Sequence, residues 1–271
     1  MTRAFFAREL DTVATYWRIY RTDGVALGFT THDRDLWFDG VLHRSAPGLT
    51  PSSLRRTADL ADDAVDIQGA LAHDTITAED LAAGRFNEAR VVIGVVAWET
   101  LETAQLYSGS FDAVTGDGGS FTAELRSAKA VLDTDPVPRT SPTCRARFCG
   151  PGCNLSPALF EREAELEAFD AEASSVRFAG VDSAPYALGE VRWLGGPHVG
   201  QTMTLRSGDG DELVCDRPLN PGLRVGTRAR LREGCDHTLA TCAARFGNAV
   251  NFQGEPFLPG NDLLAQYPVQ R

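Results

Sequence analysis

The sequence predicts a mainly β protein with short helices, an α+β chain. Its β-rich domains, one of them a small C-terminal barrel-like unit, are joined by a cysteine-rich metal-binding segment. Three observations carry this expectation. Short β-branched and aromatic runs alternate with Asp-Gly and glycine-rich turns over residues 16–125. Five more short strand patterns fill residues 174–233. Two short segments carry every cysteine except Cys215: Cys144-Arg-Ala-Arg-Phe-Cys149-Gly-Pro-Gly-Cys153, and Cys235-Asp-His-Thr-Leu-Ala-Thr-Cys242.

Taken in order, residues 4–14 read as a short amphipathic helix, with Phe5, Phe6, Leu10 and Val13 near one face. A hairpin follows, with its turn at Asp23-Gly24, and a second hairpin turns at Asp39-Gly40. Alternation continues from Ala64 to Ala70. Thr77 to Gly84 predicts a one- to two-turn helix, with Thr77 as N-cap and Gly84 as the stop. Arg90–Trp98 is almost wholly apolar and β-branched, which predicts a central strand buried on both faces. Residues 107–125 read as a hairpin around Gly116-Asp-Gly-Gly, and Ser127–Leu132 as a short helix.

The proline-rich stretch 134–143 reads as a connector. Ser156-Pro157 predicts a helix to about Phe169, because serine caps well and proline suits the first helical position. Glu161, Glu163, Glu165 and Glu167 would form its solvated face. The five strands then fall near 175–178, 188–194, 202–206, 212–215 and 228–232, the last with Ala229 and Leu231 inward. A short helix runs from His237 to Phe246 and ends at Gly247-Asn248. The expected divisions are 1–140, 141–173, 174–234 and 235–271.

Composition narrows the function. The net charge is −11. Residues 1–173 hold 27 acidic and 16 basic side chains, and residues 174–271 hold ten of each, so the acidity belongs to the first two thirds. This argues against sequence-specific nucleic-acid binding, which calls for a basic excess. Lys129 is the only lysine; the other cations are arginines, which suit ion pairs at interfaces. No apolar run approaches the roughly 20 residues of a membrane span, and the N-terminus lacks a secretory leader's apolar core. The expectation is a chain without a membrane anchor, folded in a reducing cytoplasm, where clustered cysteines serve as metal ligands more often than as disulfides.

The spacings C-x4-C-x3-C and C-x6-C differ from the paired C-x2-C knuckles of a zinc ribbon. Thiolate-bound iron–sulfur clusters tolerate wider and more varied spacing, and four cysteines suffice for a cubane. A helix starting just after Cys235 would bring Cys242 round two turns along, toward the same point. Arg145, Arg147, Arg232 and Arg245 crowd these segments and would either neutralise an anionic cluster or stand as solvated surface charge. Cys215 sits in a strand pattern and reads as core. No residues read as catalytic: His32, His43, His73, His198 and His237 are scattered, and no phosphate loop or dinucleotide fingerprint occurs.

The segment Glu-Gly-Cys235-Asp-His-Thr-Leu-Ala-Thr-Cys242-Ala-Ala-Arg245-Phe-Gly-Asn248, followed by Asn251-Phe-Gln-Gly-Glu-Pro-Phe-Leu-Pro-Gly-Asn-Asp262, resembles the C-terminal signature of a phage protein family. That family comprises the tail-tip (baseplate) hub proteins of gene transfer agents and long-tailed phages. Gly28-Phe-Thr-Thr-His-Asp33, Gly69-Ala-Leu, Ile76-Thr-Ala-Glu-Asp-Leu-Ala-Ala-Gly-Arg85 and Val95-Val-Ala-Trp98 extend the resemblance over essentially the whole chain. The resemblance implies an iron–sulfur cluster, of [4Fe–4S] type, held by Cys144, Cys153, Cys235 and Cys242. Cys149, which falls between the first two, is the alternative ligand. It further implies a structural virion protein made in the bacterial cytoplasm. This protein would form a ring, a homotrimer, below the distal tail protein. It would hold the central tip fibre, could travel with a cell-wall peptidase, and would surround the DNA conduit during ejection. An iron–sulfur or zinc enzyme, and a tail-associated peptidase pairing Cys149 or Cys235 with a histidine, are the alternatives.

Overall fold

The computed structural model of the chain describes residues 12–45, 50–51, 65–70, 76–117, 120–127, 129, 137–208 and 210–257. The chain divides into two compact units, residues 1–134 and 135–271.

The first unit is built on nine strands. They are β1 (Val13–Tyr20), β2 (Ala26–Thr30), β3 (Leu36–Phe38), β4 (Val41–Ser45), β5 (Thr50–Pro51), β6 (Val65–Ala70), β7 (Arg90–Ala97), β8 (Thr103–Asp117) and β9 (Ser120–Ser127). They form one sheet in the order β3-β4-β2-β1-β7-β8-β9-β6-β5. Neighbours run antiparallel except β2 and β4, which are parallel. The hairpins at Asp23-Gly24 and Asp39-Gly40 form as expected, and Asp39 (φ +49°) and Gly40 (φ +74°) supply the left-handed pair that a tight two-residue turn requires. β7 is central between β1 and β8. Its Val91 and Ile93 join Trp17 and Ile19 in one core, while Val92 and Val96 join Tyr16 and Phe38 in another. Period-two geometry puts successive side chains on opposite faces, which is why an uninterrupted apolar run was needed here. The helix α1 (Ala78–Ala82) is capped by Thr77, whose Oγ1 accepts from Asp80 N–H at 3.1 Å, and Gly84 (φ +65°) follows its end.

The helix expected over 4–14 lies outside the described residues except for its last three, of which Thr12 is in a turn and Val13 and Ala14 are strand. Most of the helix expected over 127–132 also lies outside them; Ser127 closes β9.

The second unit carries a closed six-stranded antiparallel barrel. Its strands are β10 (Glu161–Asp170), β11 (Ser175–Phe178), β12 (Glu190–Trp193), β13 (Thr202–Ser207), β14 (Leu213–Cys215) and β15 (Arg228–Arg232), closing in the order β10-β11-β14-β13-β12-β15. Five of these were legible as strands. The sixth corrects an expectation: residues 161–169 belong to the strand β10, not to an acidic helix. Its glutamates recur every second residue, not every third or fourth, so they line one face of a strand. Ala164 and Leu166 turn inward; an irregularity in pairing between Leu166 and Ala168 then shifts the phase and brings Phe169 in. Ser156-Pro157 opens only a 3-10 turn, Pro157–Leu159, and Ser156 makes no side-chain cap. Leu166, Trp193, Met203, Leu205 and Leu231 fill the barrel and are almost wholly buried. Each contributes about 1.5–3 kcal/mol by leaving water. Among the described residues no helix is long and apolar enough to cross a membrane.

Candidate metal centre

The barrel explains why cysteines far apart in sequence meet. β10 and β15 are neighbours, with Glu161 opposite Arg232. The chain therefore arrives at β10 and departs from β15 at the same end of the barrel. Cys153 lies shortly before β10 and Cys235 shortly after β15. Close passage of the departing chain is possible because residue 234 is glycine; a Cβ there would stand 1.8 Å from the Ala187 carbonyl oxygen.

Backbone hydrogen bonds then fasten the two segments together. Cys144 N–H donates to His237 O at 2.8 Å, Arg145 N–H to Gln253 O at 3.0 Å, and Glu255 N–H to Ser141 O at 2.8 Å. The helix α2 (Leu239–Ala244) carries Cys242. It starts later than expected: Thr238, not a residue beside Cys235, is its N-cap, accepting from Thr241 N–H at 3.2 Å. The Asp236 carboxylate accepts from Thr238 N–H at 2.9 Å and from the Thr241 hydroxyl at 2.7 Å, which holds its pKa below the ordinary range. Gly247 (φ +59°) ends the helix, and Asn248 N–H caps the Cys242 carbonyl at 2.9 Å.

Cys144, Cys153, Cys235 and Cys242 line one cavity, walled by Phe148, Phe246 and Asn248. All four are free thiols; Cys153 and Cys242 are buried, and Cys144 and Cys235 half-buried. Phe148, Phe160 and Phe246 pack against one another beside it, with ring centroids 4.7–5.4 Å apart. The cavity has a volume of about 20 Å³. Among the described residues, no three His, Cys, Asp or Glu side chains are grouped to hold a single metal ion. For comparison, thiolates around one zinc, with Zn–S of about 2.3 Å, must come within roughly 3.8 Å of each other.

Three of the four sulfurs receive an N–H. Gln253 N–H donates to Cys144 Sγ at 3.3 Å, His237 N–H to Cys235 Sγ at 3.4 Å, and Asn248 Nδ2 to Cys153 Sγ at 3.7 Å. His237 reaches its position through a left-handed backbone (φ +60°). Burial pushes the Cys235 and Cys242 thiols up, and the neighbouring cysteines add to the rise at both. Ionised together, thiols in one cavity would repel one another, and a bound cation would offset that repulsion.

Cys149 does not line this cavity. It sits in a left-handed turn (φ +57°) and faces a separate cleft of about 490 Å³, with Arg147, Glu190, Arg192 and Arg230. Burial, and then the neighbouring Cys153, push its thiol up to about 11. Cys215 belongs to the barrel core and is pushed up to about 12 by burial.

The arginines follow neither expectation fully. Arg145 pairs with Glu255 at 2.7 Å, Arg147 with Glu190, Arg232 with Glu190 at 3.1 Å and with Glu161, and Arg245 with Glu233. Each guanidinium is committed to a carboxylate, so these residues brace the loops; Arg145 also lies within electrostatic reach of Cys144, and Arg232 of Cys149. Of the histidines, His43 and His198 are buried in separate places, His32 bonds locally to the Arg34 backbone, and only His237 lies at the cysteine cavity. His73 lies outside the described residues. No local pattern announces the three N–H donors. The Gly247-Asn248 pair signals a helix stop, and the asparagine there has a second use for its side chain.

Residues 2–156 match a family described as "Baseplate hub protein, N-terminal attachment domain". Residues 184–262 match "Phage conserved hypothetical protein BR0599". A solved chain from the virion of a native gene transfer agent particle is 31% identical, with a TM-score of 0.83, over 99% of this chain and 96% of that one. A comparison with curated proteins gave no match.

Proposed function

The chain belongs to the phage baseplate hub protein family, and from that premise we propose that its four converging cysteines hold an iron–sulfur cluster that clasps a structural hub of a tail tip. The observation that carries the reading is the single cavity lined by Cys144, Cys153, Cys235 and Cys242. Four thiols, with N–H groups aimed at three of them, suit an anionic, sulfur-rich group. The role of the cluster is mechanical: it ties the segment before the barrel to the segment after it.

The hub resides in the tail tip of a phage-like particle. It forms a ring, a homotrimer, beneath the distal tail protein, holds the central tip fibre, and encircles the DNA conduit. The similarity to a gene transfer agent virion chain supports this placement. A net charge of −11 keeps passing DNA from sticking to the conduit. The carboxylates of Glu161 and Glu163 do not serve that end, being paired with Arg232, Arg228 and Arg230.

Substitution tests the ligand set. Cys235→Ser and Cys242→Ser are expected to abolish bound iron and to impair particle assembly, scored by electron microscopy and gene delivery. Cys149→Ser should leave both intact. Normal, infective particles from Cys242→Ser would count against the clasp, and loss of iron from Cys149→Ser would reassign the ligands.

A further inference from the structure

We infer that Asn248 is a positioning residue that sets the electronic character of the Cys153 corner of the cluster; the inference rests on the cluster reading above. Asn248 is 6% exposed. Its Nδ2 donates to the Cys153 carbonyl oxygen at 2.8 Å and lies 3.7 Å from Cys153 Sγ, within reach of a bond to sulfur. Asn251 Nδ2 donates to Asn248 Oδ1 at 2.7 Å, which fixes the orientation of the amide so that its nitrogen, not its oxygen, faces Cys153. The backbone N–H of the same residue bonds the Cys242 carbonyl at 2.9 Å. One residue therefore grips a ligand from each segment.

The other two sulfur donors, at Gln253 and His237, are backbone N–H groups that no substitution short of proline removes. Asn248 is the one side-chain donor to a ligand sulfur among the described residues. A hydrogen bond to a ligating sulfur withdraws electron density from it and favours the reduced cluster. Leucine at this position keeps the volume and removes the donor. Aspartate turns a donor into an acceptor facing a thiolate.

The experiment compares wild type, Asn248→Leu, Asn248→Asp and Asn248→Gln, purified anaerobically as full chains. Iron per chain, the midpoint potential from a redox titration followed by electron paramagnetic resonance, and the thermal midpoint of the iron-free chain are measured. Asn248→Leu is expected to retain iron with a lower midpoint potential and an altered resonance spectrum. Asn248→Asp is expected to shift further or to lose iron, and Asn248→Gln to recover part of the shift. If Asn248→Leu holds iron at an unchanged potential and spectrum, and lowers only the iron-free thermal midpoint, Asn248 is merely structural and the inference is overturned. Wild type without iron would overturn the cluster reading and this inference with it.

Discussion

His43 shows at the scale of one residue how a charge state is fixed by packing. It is wholly buried and stacked on Phe38, with centroids 3.7 Å apart. Arg18 Nε–H donates to its Nε2 at 2.9 Å, a bond only the neutral ring can accept. Burial and the Arg18 cation lower its pKa to about 4, against the weaker upward pull of the Leu36 and Val41 backbone and of Asp39. A folded-state pKa below the unfolded one favours the neutral form. Its contribution is present above pH ~6.5 and is lost as pH falls through about 4. The full loss is worth about 3 kcal/mol. Urea unfolding at pH 7, 5 and 4 is expected to show that decline, and His43→Gln, which keeps an acceptor for Arg18, to flatten it. An equally steep decline in the variant would mean that other groups carry the acid sensitivity.

Among the elements, β10 matters most, and it is the one the sequence misrepresents. Glutamate, alanine and leucine favour helices in isolation, and Ser156-Pro157 imitates a helix start. The deciding feature is the two-residue recurrence of Glu161, Glu163, Glu165 and Glu167, which is strand geometry. Tertiary pairing with the arginines of β15 then overrides propensity. Where patterns were local, as in the Asp23-Gly24 and Asp39-Gly40 hairpins, the Thr77 cap and β11 to β15, residues alone sufficed to read the structure. Closure of the barrel depends on a partner about seventy residues away, and no local pattern announces it. The same holds at the centre: the cysteine types and spacing were legible, but which sulfurs share a cavity follows from the β10–β15 pairing. Leu166 tests the strand assignment directly. It is 1% exposed within the barrel core, so Leu166→Ala should cost about 2–5 kcal/mol in chemical denaturation. Glu165→Ala, on the solvent face, should change the midpoint little. A helix with a solvated acidic face would leave the Glu165 result as it is but would make the Leu166 loss small.

For the molecule as a whole, the proposed clasp sits where the barrel's first and last strands meet. The C-terminal segment lies along residues 141–145 through backbone bonds and the Arg145–Glu255 pair. Those exposed contacts are individually weak. A cluster bonded to both segments would add its binding free energy to their closure, so that removing it loosens the join without dissolving the barrel core. Iron chelation under anaerobic conditions is accordingly expected to raise amide exchange in residues 141–155 and 235–255 while β11 to β14 stay protected. Uniform loss of protection would mean that the cluster supports the whole unit.

The most direct measurement is the metal content of the chain purified without oxygen. Brown protein is expected, with broad absorption near 400 nm, about four irons and four acid-labile sulfides per chain, and loss of all three in Cys242→Ser. Colourless protein with one zinc per chain, or with no metal, would contradict it.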